Sequence, residues 1–326
     1  MELLKKLTQL TAPSGSEGGI LQVIKDELGG IADSISTDVM GNITVRKKGG
    51  GKRLMLAAHA DEIGVMATFI GDDGYIRFSN IGGIRAYIAH GSRVKFLNGT
   101  VGVVMAEGDA DMKSLALSKM YIDIGAADKA DAEKYVNIGD VAGFIGDFEQ
   151  TDRVVISKAL DNRVGCYVLI QALKEMKNSK NDIYAVFTAQ EELGVRGATT
   201  AAYTAEPHMA IAVDVTKTGD TPGAAVMAVK LGGGAAIKVR DDRVITHHTV
   251  RELMIKTAQA GDISYQMEVL QGGGTDAGAI HTSRSGVPSG VLSIPVRYVH
   301  STSEMAAVGD IEAAVRLLRC LMEREI

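Results

Sequence analysis

The residues best suited to chemistry in this chain are two adjacent carboxylates. Residues 188–194 read Thr-Ala-Gln-Glu-Glu-Leu-Gly, which puts Glu191 and Glu192 just beyond the apolar run at 183–187. Successive side chains of a strand point to opposite faces, so neighbouring acids here mark a strand that has stopped. They predict a loop at the carboxyl edge of a sheet, where open α/β folds bind ligands. Read alone, the pair is explained equally well as a solvated loop. The pattern recurs, however. The apolar run at 53–58 ends in His59, with Asp61 two residues on, a spacing at which a carboxylate can hold an imidazole tautomer. The run at 209–213 ends in Asp214, and His300 follows the run at 291–295. Asp161 precedes a helical apolar pattern of Val164, Tyr167, Val168, Ile170, Leu173 and Met176, where an N-cap is the plainer explanation.

Together His59, Asp161, Glu191, Glu192, Asp214 and His300 offer oxygen and nitrogen donors and no sulfur. That set suits a divalent ion such as zinc, cobalt or manganese. Two histidines and several acids suffice for two ions if one acid bridges, and two-metal hydrolases hold their ions about 3.5–4 Å apart. One carboxylate must then stay free as general base. Adjacent glutamates divide that labour: one binds metal and the other handles the proton.

The elements that must position these groups follow from periodicity. Leu3, Leu4, Leu7 and Leu10 share one helical face, and Ile20, Val23, Ile24 and Leu28 another, with Ser14 and Glu17 at capping-box spacing before the second helix. Between about 65 and 155 the texture becomes β. Short runs recur at 65–70, 75–78, 94–97, 101–105, 121–124 and 140–145, and Asn98-Gly99 predicts a type I′ hairpin. This stretch reads as a small β-barrel or sandwich domain inserted into a larger α/β domain, for assembly or substrate access. His90, Asp109 and Asp111 within it are expected at its surface. After 157 the α/β texture resumes, with Asp310 as N-cap of a last helix at 311–322 and His247-His248 exposed at a helix start. Gly272-Gly273-Gly274-Thr275-Asp276 lacks the Lys-Ser/Thr of a phosphate loop. It reads as a glycine-rich wall for close approach of a substrate backbone, making Gly273, Gly274, Thr275 and Asp276 candidate substrate contacts.

Composition bounds the alternatives. The chain has 326 residues, 46% hydrophobic and 23% charged, enough for a large core plus a second domain. A net charge of −5 argues against nucleic acid or an anionic membrane as partner. Cys166 and Cys320 are the two cysteines, both in helical stretches, and read as buried small hydrophobes. The absence of a signal-peptide core and of a membrane-length apolar run makes the reducing cytoplasm the expected location.

The order and spacing of these motifs carry more than periodicity does. His59-x-Asp61, Leu160-Asp161-Asn162-Arg163, Gln190-Glu191-Glu192-Leu193-Gly194, Val213-Asp214 and Tyr298-Val299-His300-Ser301 resemble the M42 family of metallo-aminopeptidases. The resemblance runs over essentially the whole chain, including Asp38-Val39-Met40-Gly41-Asn42 and residues 272–276. It implies a zinc-exopeptidase-like α/β fold, a mixed-sheet sandwich with helices on both faces, formed by residues 1–65 and 156–326. It implies a PDZ-like or β-barrel dimerisation domain at 66–155. Two divalent ions, zinc or cobalt with manganese possible, are implied, one held by His59, Asp161 and Asp214 and one by Asp161, Glu192 and His300. Glu191 is then the general base, acting on a metal-activated bridging water, and Asp61 orients His59. Short peptides are the implied substrates, and the implied assembly runs from dimer to tetrahedral dodecamer.

Three rivals share parts of this pattern. An N-acyl amino acid deacylase would use the same metal core. A glycoside hydrolase, the label some family members carry, needs carboxyl groups about 5–9.5 Å apart flanking a sugar, a poor match to adjacent glutamates beside two histidines. The chain also has no tryptophan and only 5% aromatic residues for a sugar platform. A non-catalytic shell protein would retain the metal but have no use for Glu191.

Overall fold

The structure, a computed structural model, describes residues 1–326 except Asp109. The expectation for Asp109 therefore lies outside the described residues. The strand Arg53–His59 explains the layering, because every residue after Arg53 is buried. Leu54, Leu56 and Ala58 enter one core with Leu4, Leu7, Ile20, Ile24, Val168 and Leu318. Met55 and Ala57 enter another with Val186, Ala198, Ala202 and Ile280. A strand apolar on both faces requires helices on both. The helices Glu2–Gln9, Gly18–Leu28, Leu160–Glu175 and Val308–Glu323 supply the first core, and Arg196–Ala205 and Ala277–Ile280 the second.

The sheet is mixed, as expected for the α/β class. Arg53–His59 lies parallel to both Asp182–Thr188 and Met209–Thr216, and Met209–Thr216 lies parallel to Ser289–Arg297. Ile43–Lys47 pairs antiparallel with Asp182–Thr188, as Glu304–Ala307 does with Ser289–Arg297. The parallel strands bring their carboxyl ends to one edge, and the strand-end acids and histidines gather there.

Between Arg53–His59 and Val154–Ser157 the chain forms a closed antiparallel barrel. Its order is Gly64–Ile70, Ile76–Ile81, Met120–Asp123, Val101–Ala106, Arg93–Phe96 and Val141–Phe144. The barrel has its own core, with Val65, Ile76, Phe96, Val104, Ile122 and Phe144. All six β-like runs of that region became barrel strands. The turn between two of them differs from expectation. Gly99 has φ +95°, but Asn98 is not left-handed, and Gly99 N donates to Phe96 O at 2.9 Å. A type I′ turn needs both central residues at positive φ; the connection here is longer, with glycine alone taking the left-handed position. Asp111 is exposed, whereas His90 is half-buried and accepts from Ala106 N.

Two helix caps also differ. Ser14 and Glu17 make no capping box. Ser14 Oγ donates to Asp61 Oδ2 at 2.6 Å, and Glu17 Oε1 accepts from Gly15 N and Gln190 N. Asp310 lies inside the helix Val308–Glu323, where its carboxylate accepts from Gly232 N and Gly234 N. For Glu17 and Asp310 the physical reason is the same. A buried backbone N–H without water must find an acceptor, and a nearby loop competes for these side chains with the helix end. His247 and His248 are exposed, as expected. Cys166 is buried, with its Sγ on His59 O, while Cys320 is half-buried. Among the described residues no helix is long and apolar enough to cross a membrane.

Candidate functional site

His59 closes its strand opposite Thr188, the last residue of the neighbouring strand. Three residues past Thr188 the chain reaches Glu191 and Glu192, turned by left-handed Gln190 (φ +56°) and Gly194 (φ +104°). Asn42 braces this loop: its Oδ1 accepts from Ala189 N, and its Nδ2 donates to Gly197 O. Asp214 lies near the end of Met209–Thr216. His300, at φ +65°, sits in the connection between Ser289–Arg297 and Glu304–Ala307.

Asp161 is not a helix cap. Ala159 occupies the N-cap position, and Asp161 and Asn162 keep non-helical dihedrals at the start of Leu160–Glu175. The Asp161 carboxylate instead stands between the two imidazoles. Its Oδ1 is 3.1 Å from His59 Nε2, and its Oδ2 is 3.3 Å from His300 Nε2. Asp214 Oδ1 lies 3.7 Å from His59 Nε2, and Glu192 Oε1 lies 3.1 Å from His300 Nε2. The side chains thus form two triads that share Asp161, each with donor atoms within 4.8 Å of one another. Glu191 belongs to neither triad; its Oε2 is 4.0 Å from His59 Nε2.

The donor set fits divalent metal. Donors about 2.0–2.2 Å from a tetrahedral ion stand roughly 3.3–3.6 Å apart, close to the spacings here. Charge gives a second test. Asp161, Glu191, Glu192 and Asp214 converge with no Lys or Arg ion-paired to any of them among the described residues. Buried carboxylates in that number need a compensating cation. Their proton affinities express the same deficit. Burial, with help from neighbouring acids, pushes Glu191 and Asp214 well above the ordinary carboxylate range, and burial raises Glu192. Against the effect of burial, hydrogen bonds with His300 and His59 hold Asp161 below it. Burial alone would lower the two histidines, but the facing carboxylates raise them, His300 to about 11.

Three supports hold these side chains in place. His300 Nδ1 is 2.7 Å from Gly83 O, which leaves Nε2 for the carboxylate side. Gly83 follows the barrel strand Ile76–Ile81, so the barrel touches the site directly. A Cβ at Gly83 would stand 3.0 Å from His300 Nδ1, and one at Gly82 (φ +75°) 2.9 Å from Glu192 Oε2. The left-handed backbone and tight surroundings of Gly82 favour glycine there, and Gly83 leaves little room for a side chain. Asp61 Oδ1 lies 3.4 Å from His59 Nδ1, and besides the Ser14 hydroxyl its carboxylate also holds the acidic loop. It accepts from Glu191 N at 3.0 Å and Glu192 N at 3.1 Å. The third support is Glu304, buried, with Oε2 accepting from Asp161 N at 2.8 Å and Oε1 from His300 N at 2.7 Å. Burial first, then the Asp161 charge, pushes it up to about 8. Sequence reasoning missed Glu304, whose only signal was an acid four residues after His300, and it missed Gly83 entirely.

The site opens into a cavity of about 650 Å³ lined by His59, Asp161, Glu191, Glu192, Asp214 and His300 on one side. Gly273, Gly274 and Thr275 line another side, as does Gly272. Asp276 does not line it. Asp276 is buried behind the wall, accepting from Thr188 Oγ1 at 2.5 Å, and burial pushes it up to about 6.

Comparison with known proteins places the chain among aminopeptidases. The family model described as M42 glutamyl aminopeptidase matches residues 41–317. A protein of Acetivibrio thermocellus provisionally assigned as an aminopeptidase is 54% identical, over 97% of this chain and 96% of its own length. The solved aminopeptidase of the archaeon Desulfurococcus kamchatkensis is 37% identical with a TM-score of 0.95, covering 99% of this chain and 94% of that one. The TET1 peptidase of Pyrococcus horikoshii, described as assembling into a tetrahedron or a large octahedral shell, is 32% identical with a TM-score of 0.89. That match covers 98% of each chain.

Proposed function

The chain belongs to the M42 family of aminopeptidases, and from that premise we propose that it removes N-terminal residues from short peptides at a two-metal site. His59, Asp161 and Asp214 would hold one ion, and Asp161, Glu192 and His300 the other. The observation that carries this reading is Asp161, each of whose oxygens faces a different imidazole. Zinc, cobalt and manganese all accept these donors. Bound there, the ions supply Lewis acidity, polarising a carbonyl and easing deprotonation of water.

The remaining steps fall to the chain's own groups. Glu191 lines the cavity, is only 13% exposed, and belongs to neither triad. Burial raises its proton affinity, which suits a group that takes a proton from the attacking water and returns it to the leaving amine. Asp61 fixes Glu191 and Glu192 through their backbone N–H groups, so the base and its neighbouring ligand keep one relative position. The surplus of carboxylates also suits the free α-ammonium of a peptide, which distinguishes an exopeptidase from a deacylase. Gly273, Gly274 and Thr275 serve as the wall for the substrate backbone.

Aminoacyl-p-nitroanilides offered to apoprotein reconstituted with each metal test this reading. Hydrolysis that depends on added metal is expected. Turnover of N-acyl amino acids alone, or of cellulose after chelation, would replace it with the deacylase or the glycosidase.

Glu304 has a role that can be separated from folding. In Glu304→Gln one oxygen that accepts a backbone N–H becomes an amide donor, so either Asp161 N or His300 N loses its partner. Metal affinity measured by chelator competition should fall about 10- to 100-fold. An unchanged affinity would leave Glu304 with no part in positioning the ligands.

Residues 1–65 and 156–326 form the catalytic domain in this proposal, and 66–155 an assembly domain that pairs chains into dimers and a dodecamer. The shell-forming Pyrococcus horikoshii relative supports self-association. The Gly83–His300 contact gives the barrel a second duty within its own chain. Sedimentation showing a monomer at all concentrations would remove the assembly role.

A further inference from the structure

A second cavity of about 410 Å³ adjoins the first and shares Arg85, Lys217, Leu270 and Val299 with it. Its other walls are largely apolar, and much of that surface is uncovered. Val226 is 102% exposed, Tyr298 54% and Val269 52%, all around this one groove. The shared wall is cationic. Among the described residues neither Arg85 nor Lys217 forms an ion pair, and the hydrogen bond of the Arg85 guanidinium goes to Tyr87 Oη at 2.8 Å. Arg297, in the same groove, differs: Asp220 neutralises it at 2.6 Å. Two unpaired cations therefore stand where the cavities meet.

Chain connectivity keeps both close to the reacting groups. Arg85 is two residues beyond Gly83, whose carbonyl contacts His300 Nδ1 at 2.7 Å. Lys217 is three residues beyond Asp214. An extended peptide advances roughly 3.3–3.6 Å per residue. Both residues also line the metal-side cavity itself, so a carboxylate one or two residues past the scissile bond runs along the wall that carries them.

We propose that the second cavity holds the leaving segment of the substrate, and that Arg85 and Lys217 bind the C-terminal carboxylate of di- and tripeptides. This rests on the aminopeptidase reading above. The N-terminal residue occupies the metal-side cavity with its carbonyl facing Glu191. The chain after the scissile bond passes the shared wall, and its side chains lie against Val226, Val269 and Tyr298. The guanidinium of Arg85 can meet a carboxylate with two parallel hydrogen bonds, while Lys217 adds a point charge. The consequence is a preference for short free-acid peptides over their amides, expressed mainly in KM.

The test compares kcat/KM for dipeptides and tripeptides as free acids and as C-terminal amides. Their N-terminal residue is the one cleaved fastest as a p-nitroanilide. The acid-to-amide ratio should be about 5 to 10 in the unaltered protein, and should shrink as salt rises. It should fall toward about 1 in an Arg85→Met, Lys217→Met double variant and below 1 in Lys217→Glu. A ratio near 1 in the unaltered protein overturns the proposal, as does a ratio that survives both variants. So does a double variant that loses p-nitroanilide and dipeptide hydrolysis by the same factor, since p-nitroanilides carry no C-terminal carboxylate. If Val226→Asp changes the sedimentation of the assembly while the ratio stays fixed, the groove belongs to a second copy of the chain and the proposal falls. No hydrolysis of any p-nitroanilide or peptide by the metal-loaded protein would instead remove the parent reading.

Discussion

Glu191→Gln should lower kcat by roughly 10²- to 10⁴-fold, the usual worth of a general base, while leaving metal content unchanged. The reason lies in geometry. Glu191 is outside both triads, so neutralising it removes no ligand. Glutamine keeps the shape of glutamate, and the Asp61 bonds that hold the loop go to backbone N–H groups, which the substitution does not touch. Metal analysis of the purified variant beside single-turnover kinetics would separate the two effects. Near-normal turnover would show that another group moves the proton. Loss of one ion per chain would place Glu191 among the ligands and leave the base unassigned. Glu192→Gln is the informative contrast. It weakens the triad with His300, so its loss should be relieved in part by raising metal concentration, whereas that of Glu191→Gln should not.

Asp161→Ala should abolish metal binding at both triads together, with activity down by at least about 10³-fold. No other residue is common to the two triads. Removing its carboxylate leaves His59 facing Asp214, and His300 facing Glu192, with neither pair able to complete three donors. Asp214→Ala removes a donor from one triad only and should spare the ion held through His300. Titration with a chelator, read by metal content and by thermal unfolding, checks both. An ion that binds the folded chain and not the unfolded one stabilises it by RT ln(1 + [L]/Kd), so the metal-dependent rise in Tm should vanish in Asp161→Ala and persist in part in Asp214→Ala. Two ions per chain in Asp161→Ala would exclude a shared ligand.

The fold was legible where local pattern carries the information. The apolar runs at 53–58, 183–187 and 209–213 became parallel strands of one sheet, and the β-like runs at 65–145 closed into a barrel. Apolar burial follows a period set by the element itself, so a short window is enough to read it. Turn and cap chemistry was less legible. Asn98-Gly99, Ser14-x-x-Glu17 and Asp310 each had the right residues for a local motif but meet different partners. A hydroxyl or carboxylate bonds whichever buried partner lies nearest, and that can come from a remote segment.

The same division applies at the site. Residue type and strand-end position by themselves determined that oxygen and nitrogen donors, and no sulfur, would collect at the carboxyl edge of the sheet. The order of His59, Asp161, Glu191, Glu192, Asp214 and His300 pointed to the family. Only the tertiary structure decided that Asp161 stands between two imidazoles instead of capping a helix, and that Asp276 sits behind the wall it was expected to form. It alone brought Glu304 to Asp161 and the barrel's Gly83 to His300, contacts spanning 143 and 217 residues of sequence respectively. A buried polar group is satisfied by distance and angle in the folded chain, and no periodicity along the sequence encodes either.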